Sequence, residues 1–411
     1  MDVGIERINA YLGQACIDVR MIFEHRGLEL KRFGNLLMDK KSVCLPCEDS
    51  VTNGVNAAKP LIDSLDRSSV EKIELLITST ESGLDFGKSL SNYLHDYLGL
   101  SRRCRMFEVK QACYGGTAAL QMAANFVRSN AAPGAKALVV ATDITSATAK
   151  HTYAEPSQGT GAVAMIVGDE PHVLELDFGA NGYHGYEVMD TCRPDVHVEA
   201  GDPDLSLLSY LDCLEQSFRS YVERVEGADF QSAFDYLVFH TPFGGMVKGA
   251  HRNMLRNMKV PPESIERDFK QRVTPSLKYC AEVGNIYSAS IFLALIGLID
   301  SVPLDSAKRV GLFSYGSGCS SEFYSGIISR RGQELVRALG PAEALRKRYR
   351  LNMAEYENLL TLNSEWTFGV RDRRVDVSGY RDIYDRQFTN SGLLVLESVG
   401  SNYHRKYNWA H

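Results

Sequence analysis

Cys113 follows the strand-like run Phe107-Glu108-Val109 and precedes two glycines, Gly115 and Gly116, that open an alanine-rich stretch of helical pattern. A thiol there faces unpaired backbone N–H groups and the positive end of a helix dipole, both of which favour thiolate over thiol. The place suits a nucleophile, yet a buried cysteine at a helix start also serves as small apolar filler. This segment alone leaves both readings open. Three other polar residues have comparable settings. Glu81 ends the apolar run Ile73–Thr80, His240 ends Asp235–Phe239, and Asn285 follows Gly284 just ahead of the apolar stretch Ser288–Leu298. Taken singly, Glu81 fits a helix cap, His240 a satisfied core histidine and Asn285 a turn.

The elements that would position them recur in one order. Buried strands are expected over Ile73–Thr80, Ala135–Thr142 and Gly161–Val167, with a helix from Cys113 to about Ser129. The second half repeats the theme: Asp235–Phe239, a helix over Ser288–Leu298, then strands over Arg309–Tyr315 and Ser321–Ile328. Cys113 lies 26 residues before Val139 in its following strand, and Asn285 lies 27 before Leu312 in its own. Two similar halves facing each other would bring Glu81 and Cys113 together with His240 and Asn285, on elements rigid enough to aim them.

Composition narrows the class. The chain of 411 residues is 44% apolar and 23% charged, which is globular and large enough for a substantial core. The N-terminus, Met1 to Gln14, lacks a signal-peptide core and no apolar run is long enough to span a bilayer, so a cytoplasmic protein is expected. Nine scattered cysteines predict neither a disulfide framework nor a metal site, and Cys44-Leu45-Pro46-Cys47 is read as structural. A net charge of −6 argues against general nucleic-acid binding.

Beyond these patterns, the motifs resemble those of 3-hydroxy-3-methylglutaryl (HMG) synthases of the thiolase superfamily. The matching stretches are Thr80-Glu81-Ser82-Gly83, Gln111-Ala112-Cys113-Tyr114-Gly115-Gly116, Ala141-Thr142-Asp143, His240-Thr241-Pro242-Phe243, Val283-Gly284-Asn285-Ile286-Tyr287 and Ser314-Tyr315-Gly316-Ser317-Gly318. The resemblance is nearer to the branch that installs β-branches on polyketide intermediates, carried by Gly179–Asp190 and Phe243–Arg252. Primary-metabolism relatives usually add lysines after the histidine to hold coenzyme A; here Gly244 and Gly245 precede a single nearby base, Lys248.

The resemblance implies an α/β thiolase-like fold of two duplicated halves in a layered αβαβα arrangement, with mixed five-stranded sheets. The halves are expected over residues 1–170 and 235–411, with 171–234 as a bridging segment. It implies Cys113 as nucleophile, Glu81 as base and acid, and His240, oriented by Asn285, at the new alkoxide. Backbone N–H groups near Cys113 and Ser317 would hold the enolate oxygen. Asp143, Asp190, Arg193 and Lys248 are candidates to meet the substrate or its phosphopantetheine arm; Arg252 and Arg256 continue from Lys248 along one helix face as a carrier-docking surface. Tyr153, Glu155 and Pro156 fit a connector or part of a lid. No resident cofactor or metal is implied. The expected partners are donor and acceptor acyl carrier proteins and a second copy of the chain. The alternatives are a primary-metabolism synthase using acetyl-CoA and acetoacetyl-CoA, and a condensing ketosynthase, which would not need Glu81.

Overall fold

In a computed structural model, which describes all residues except 146–149, 153, 196, 197 and 367, nine strands form one continuous sheet. In chain order the strands are β1 (Gly4–Tyr11), β2 (Ala15–Asp18), β3 (Lys40–Val43), β4 (Ile73–Ser79), β5 (Arg105–Val109), β6 (Lys136–Asp143) and β7 (Gly161–Gly168). There follow β8 (Leu174–Gly185), β9 (Thr191–Asp195), β10 (Val198–Gly201), β11 (Tyr236–Phe239), β12 (Lys308–Gly316) and β13 (Ser320–Ile328). The large sheet runs β5-β4-β6-β7-β1-β8-β13-β12-β11, while β2 and β3 pair beside it and β9 with β10 makes a hairpin.

This order reads outward symmetrically from the β1–β8 seam, where Gly4 faces Glu175 and Ile5 faces Leu174. On one side lie β1, β7, β6 and β4; on the other β8, β13, β12 and β11. The match extends to direction. Strands β4 and β6 are parallel, as are β11 and β12, while β7 and β13 run antiparallel to their outer neighbours β6 and β12. The duplication expected from the sequence is present, with one correction. The first half has a further strand, β5, and the second has no counterpart among the described residues, so its sheet share is four strands rather than five. Between His240 and Tyr287 the chain instead forms the helices Gly244–Asn257, Pro262–Asp268 and Thr274–Val283. Residues 171–234 hold β8, the β9–β10 hairpin and the helix Pro203–Arg224.

Two central helices, Gly115–Arg128 and Ser290–Ser301, pack on the sheet, the second buried from Ser290 through Ile299 as the apolar run 291–299 requires. Helices Ser50–Asp63 and Pro203–Arg224 pack on the first and second halves, against β7 and β8. The central helices approach at their starts. A Cβ on Gly116 would lie 2.8 Å from Ser288 O and 3.0 Å from Phe292 Cε2, and Ser79 Oγ meets Ser288 Oγ at 3.1 Å. Backbone on one side and a core ring on the other leave Gly116→Ala little room to relax. It should destabilise the fold by about 1–3 kcal/mol, read as a lowered denaturant midpoint with an unchanged slope. Among the described residues no helix is long and apolar enough to cross a membrane.

Candidate active site

Register brings the chemistry to one edge. Strands β4, β5 and β6 are parallel neighbours in which Ser79 sits beside Val109 and beside Ala141. The residues just beyond these alignments, Glu81, Cys113 and Asp143, therefore emerge together at the carboxyl ends of the strands, where open α/β sheets bind ligands. In the second half Phe239 pairs with Phe313, so His240 and Ser317 leave the carboxyl ends of β11 and β12.

The turn at Cys113 is sharp. Ala112 has φ 43°, a left-handed conformation sparse for a residue with a side chain, and Gly115 N–H donates to Ala112 O at 3.1 Å. Gly316, at the end of β12, lies against this turn: a Cβ there would stand 2.5 Å from Tyr114 N and 2.6 Å from Gln111 O. The end of β12 thus meets the Cys113 turn directly, and only glycine permits that approach. Beneath the turn, the Tyr114 hydroxyl donates to the buried Glu322 carboxylate at 2.7 Å.

The Cys113 thiol donates to Glu81 Oε1 at 3.0 Å. Glu81 owes its place to Asp143, whose Oδ1 accepts from Glu81 N–H at 2.7 Å, Ser82 N–H at 3.0 Å, Ser82 Oγ at 2.9 Å and Thr80 Oγ1 at 3.0 Å. Burial holds Glu81 above the usual carboxylate range, with the Arg193 guanidinium opposing, and burial raises Asp143 as well. Burial first, and then the Glu81 charge, push the Cys113 thiol well above its ordinary value. This corrects the expectation of a resting thiolate: desolvation and an adjacent carboxylate outweigh the helix end. At rest the site holds a thiol aimed at a carboxylate.

Arg193, on β9, reaches the same place. Its Nη1 donates to Glu81 O at 3.4 Å and its Nη2 to the Tyr287 hydroxyl at 2.8 Å, with the guanidinium 4.9 Å over the Tyr287 ring. Asp190 is buried and turned to the protein: its Oδ2 accepts from the Tyr315 hydroxyl at 2.7 Å and its Oδ1 from Gly318 N–H at 2.9 Å. It therefore fastens the loop that carries Ser317. Asn285 does not orient His240 through any hydrogen bond among the described residues. Its Oδ1 accepts from Tyr287 N–H at 2.9 Å and Ser290 Oγ at 3.0 Å, which shapes the turn into the second central helix. His240 is buried at the end of β11, held by its backbone to Phe313 O at 2.7 Å. Burial lowers its pKa to about 3, so the imidazole is neutral, and its Nδ1 has no protein partner among the described residues.

Residues 1–172 match the profile "Hydroxymethylglutaryl-coenzyme A synthase N terminal", and residues 262–409 match the corresponding C-terminal profile. The chain is 54% identical to the polyketide biosynthesis 3-hydroxy-3-methylglutaryl-ACP synthase PksG of Bacillus subtilis, across 100% of this chain and 99% of that protein. The chain belongs to the HMG synthase family. The HMG synthase of the curacin biosynthetic pathway superposes with a TM-score of 0.96 at 52% identity, covering 100% of both chains. The hydroxymethylglutaryl-CoA synthase of Enterococcus faecalis is 32% identical over 93% of this chain and 100% of its own. These relatives make the chain an acyl-transferring enzyme that forms a carbon–carbon bond, on the thiolase-like fold.

The outlying candidates of this HMG synthase divide differently. Lys248 is engaged elsewhere, with Nζ 3.0 Å from Glu266 Oε2 and 5.4 Å from the centre of the Phe269 ring. Arg252 and Arg256 are exposed on the same helix. Gly244 and Gly245 have a packing role, since a Cβ on Gly244 would lie 2.8 Å from Leu37 Cβ and one on Gly245 would run into Asn35 O. Glu155 is buried and paired with Arg26 at 2.7 Å, an anchor for its loop rather than a lid; Tyr153 lies outside the described residues. Sequence reasoning missed Glu199, which has its Oε2 3.5 Å from Arg193 Nε, and Glu322. Glu322 stands out only as an acid in the expected strand Ser321–Ile328; Glu199 has no such mark.

Proposed function

We propose that this HMG synthase acts in polyketide biosynthesis, adding an acetyl-derived carboxymethyl branch to the β-ketone of a carrier-bound 3-oxoacyl chain. The observation that carries the chemistry is the 3.0 Å approach of Cys113 Sγ to Glu81 Oε1. The choice of carrier rests on likeness: PksG is named for an ACP-linked product, and the curacin synthase was solved with apo, holo and acetyl donor-ACP.

The steps follow from where protons can go. Glu81 takes the Cys113 proton as sulfur attacks the donor thioester, then gives it to the departing pantetheine thiol, which leaves acetyl-Cys113 and a free carboxylate. Glu81 next removes a methyl proton, and backbone N–H groups near Cys113 and Ser317 hold the enolate oxygen. The enolate carbon attacks the acceptor ketone. Glu81 returns the proton to the new alkoxide, and His240 contributes a hydrogen bond rather than a charge, since it is neutral. Water then cleaves the acetyl-derived thioester, releasing the carboxylate and restoring the Cys113 thiol.

In this reading residues 1–170 bring the nucleophile and base, 235–411 bring His240 and Ser317, and 171–234 bring Arg193. Asp143 and Asp190 support the base and the Ser317 loop. Arg252 and Arg256 present cations for an acidic carrier protein, which would steer encounter more than tighten it. The acyl groups arrive on phosphopantetheine arms, and we assign the enzyme to the cytoplasm as a homodimer.

The test offers acetyl-charged donor carrier protein and acetyl-CoA separately and follows Cys113 acetylation by mass spectrometry. Faster labelling from the carrier protein is expected. Labelling from acetyl-CoA alone would return the enzyme to primary metabolism.

A further inference from the structure

The β9–β10 hairpin carries two charges of opposite sign to the catalytic base. Arg193 stands on β9 and Glu199 on β10, next to the pairs Cys192–Ala200 and Thr191–Gly201. Both are largely withdrawn from solvent, with side chains 24% and 18% exposed. Glu199 is itself located from the first half, since Gln158 Nε2 donates to its Oε1 at 3.0 Å. The 3.5 Å between Arg193 Nε and Glu199 Oε2 is an ion pair without hydrogen-bond geometry, and both atoms lack another partner among the described residues. From Nη1 and Nη2, Arg193 donates to Glu81 O and the Tyr287 hydroxyl.

We propose that Arg193 and Glu199 form a charge pair that sets the pH range over which Glu81 acts as a base, both serving as positioning residues. The inference rests on Glu81 being that base. Its neighbours explain why a pair is needed. Glu81 faces Cys113 from the nucleophile turn, Asp143 from β6, Asp190 from the segment before β9, Glu199 from β10 and Tyr287 from the turn into the second central helix. Burial is the largest cause that raises Glu81, and every one of these neighbours that carries charge is an acid that adds to it. Arg193 is the opposing cation. Left unopposed, it would hold Glu81 ionised and weaken it as a base for a methyl proton; Glu199 limits that influence.

The two charges should therefore move activity in opposite directions. The active form is the carboxylate, so the acid limb of the rate profile follows the proton on Glu81. Without the Arg193 charge that proton is held to higher pH; without the Glu199 charge it leaves at lower pH.

The experiment uses full-length enzyme pre-acetylated at Cys113 by whichever of acetyl-carrier protein or acetyl-CoA labels it faster. Single-turnover condensation with acetoacetyl-charged carrier protein is then measured against pH. Arg193→Met should move the acid limb upward by roughly one pH unit or more, Arg193→Lys should stay near wild type, and Glu199→Gln should move it downward. Should Arg193→Met fail to fold, the isosteric Glu199→Gln carries the test. Equal loss of rate at every pH, unmoved limbs, or shifts of the same sign in both variants overturn the proposal. Glu81→Gln separates the two levels. If it condenses like wild type, the base assignment itself fails; if it is inactive while the hairpin variants leave the limb unmoved, only the hairpin proposal fails.

Discussion

Glu81→Gln should lower condensation about a thousand-fold while leaving Cys113 acetylation in place, a loss within the range for removing a positioned general base. The two steps separate for an electrostatic reason. Glu81 serves the thiol as a proton acceptor at 3.0 Å, yet its negative charge also raises the thiol pKa. An amide takes away both effects, so thiolate forms at lower pH and attack on the donor thioester continues. The methyl proton has no such alternative route. A carbon acid needs a base beside it, and the carboxylate in contact with the Cys113 sulfur is Glu81, whereas Asp143 is pinned through Oδ1 to the backbone and side chains of residues 80–82. Rapid quench with intact-protein mass spectrometry should show acetyl-enzyme accumulating without product. Condensation at more than about a tenth of the wild-type rate would be too fast for an enzyme stripped of its base.

Cys113→Ala should abolish covalent acetylation and reduce turnover by about four orders of magnitude or more, because no acyl-enzyme can form. The other eight cysteines do not stand in for it: seven are buried, and none has a carboxylate of the site in hydrogen-bond reach among the described residues. Burial pushes Cys44, Cys47, Cys104 and Cys280 upward, which keeps them as inert thiols. Peptide mapping after exposure to radiolabelled acetyl donor therefore should find label in the peptide of residues 106–128 in wild type and in no peptide of the variant. Persistent label elsewhere would mean that acetyl transfer has another acceptor.

Much of this was legible before any coordinates. Strands buried on both faces write continuous apolar runs, so Ile73–Ser79, Lys136–Asp143 and Gly161–Gly168 fall within a residue or so of where the sequence puts them. A polar residue just past such a run is conspicuous, which is why pattern marks Glu81 and His240 as candidates, while the roles given to them and to Cys113 come from the family resemblance. Protonation is a different matter. The helix end visible at Gly115-Gly116 argues for a thiolate, whereas the burial and the facing carboxylate that reverse it exist only once β4 and β5 align Ser79 with Val109. Convergence from distant segments is equally hidden: nothing in the spacing of Arg193, Glu199 and Tyr287 announces that the hairpin reaches back to Glu81. Gly244 and Gly245 show a further limit, since they can be read as missing lysines and prove to admit the backbone of residues 35–37.

The central claim is that one thiol and one carboxylate share the same two-carbon unit. Because Glu81→Gln traps the acetyl-enzyme, its crystal structure is the direct test. The methyl carbon is expected about 3–3.5 Å from the residue 81 side-chain amide, a distance suited to proton transfer in the native enzyme. A methyl turned away from residue 81, with another side chain of the pocket at that distance instead, would contradict the account.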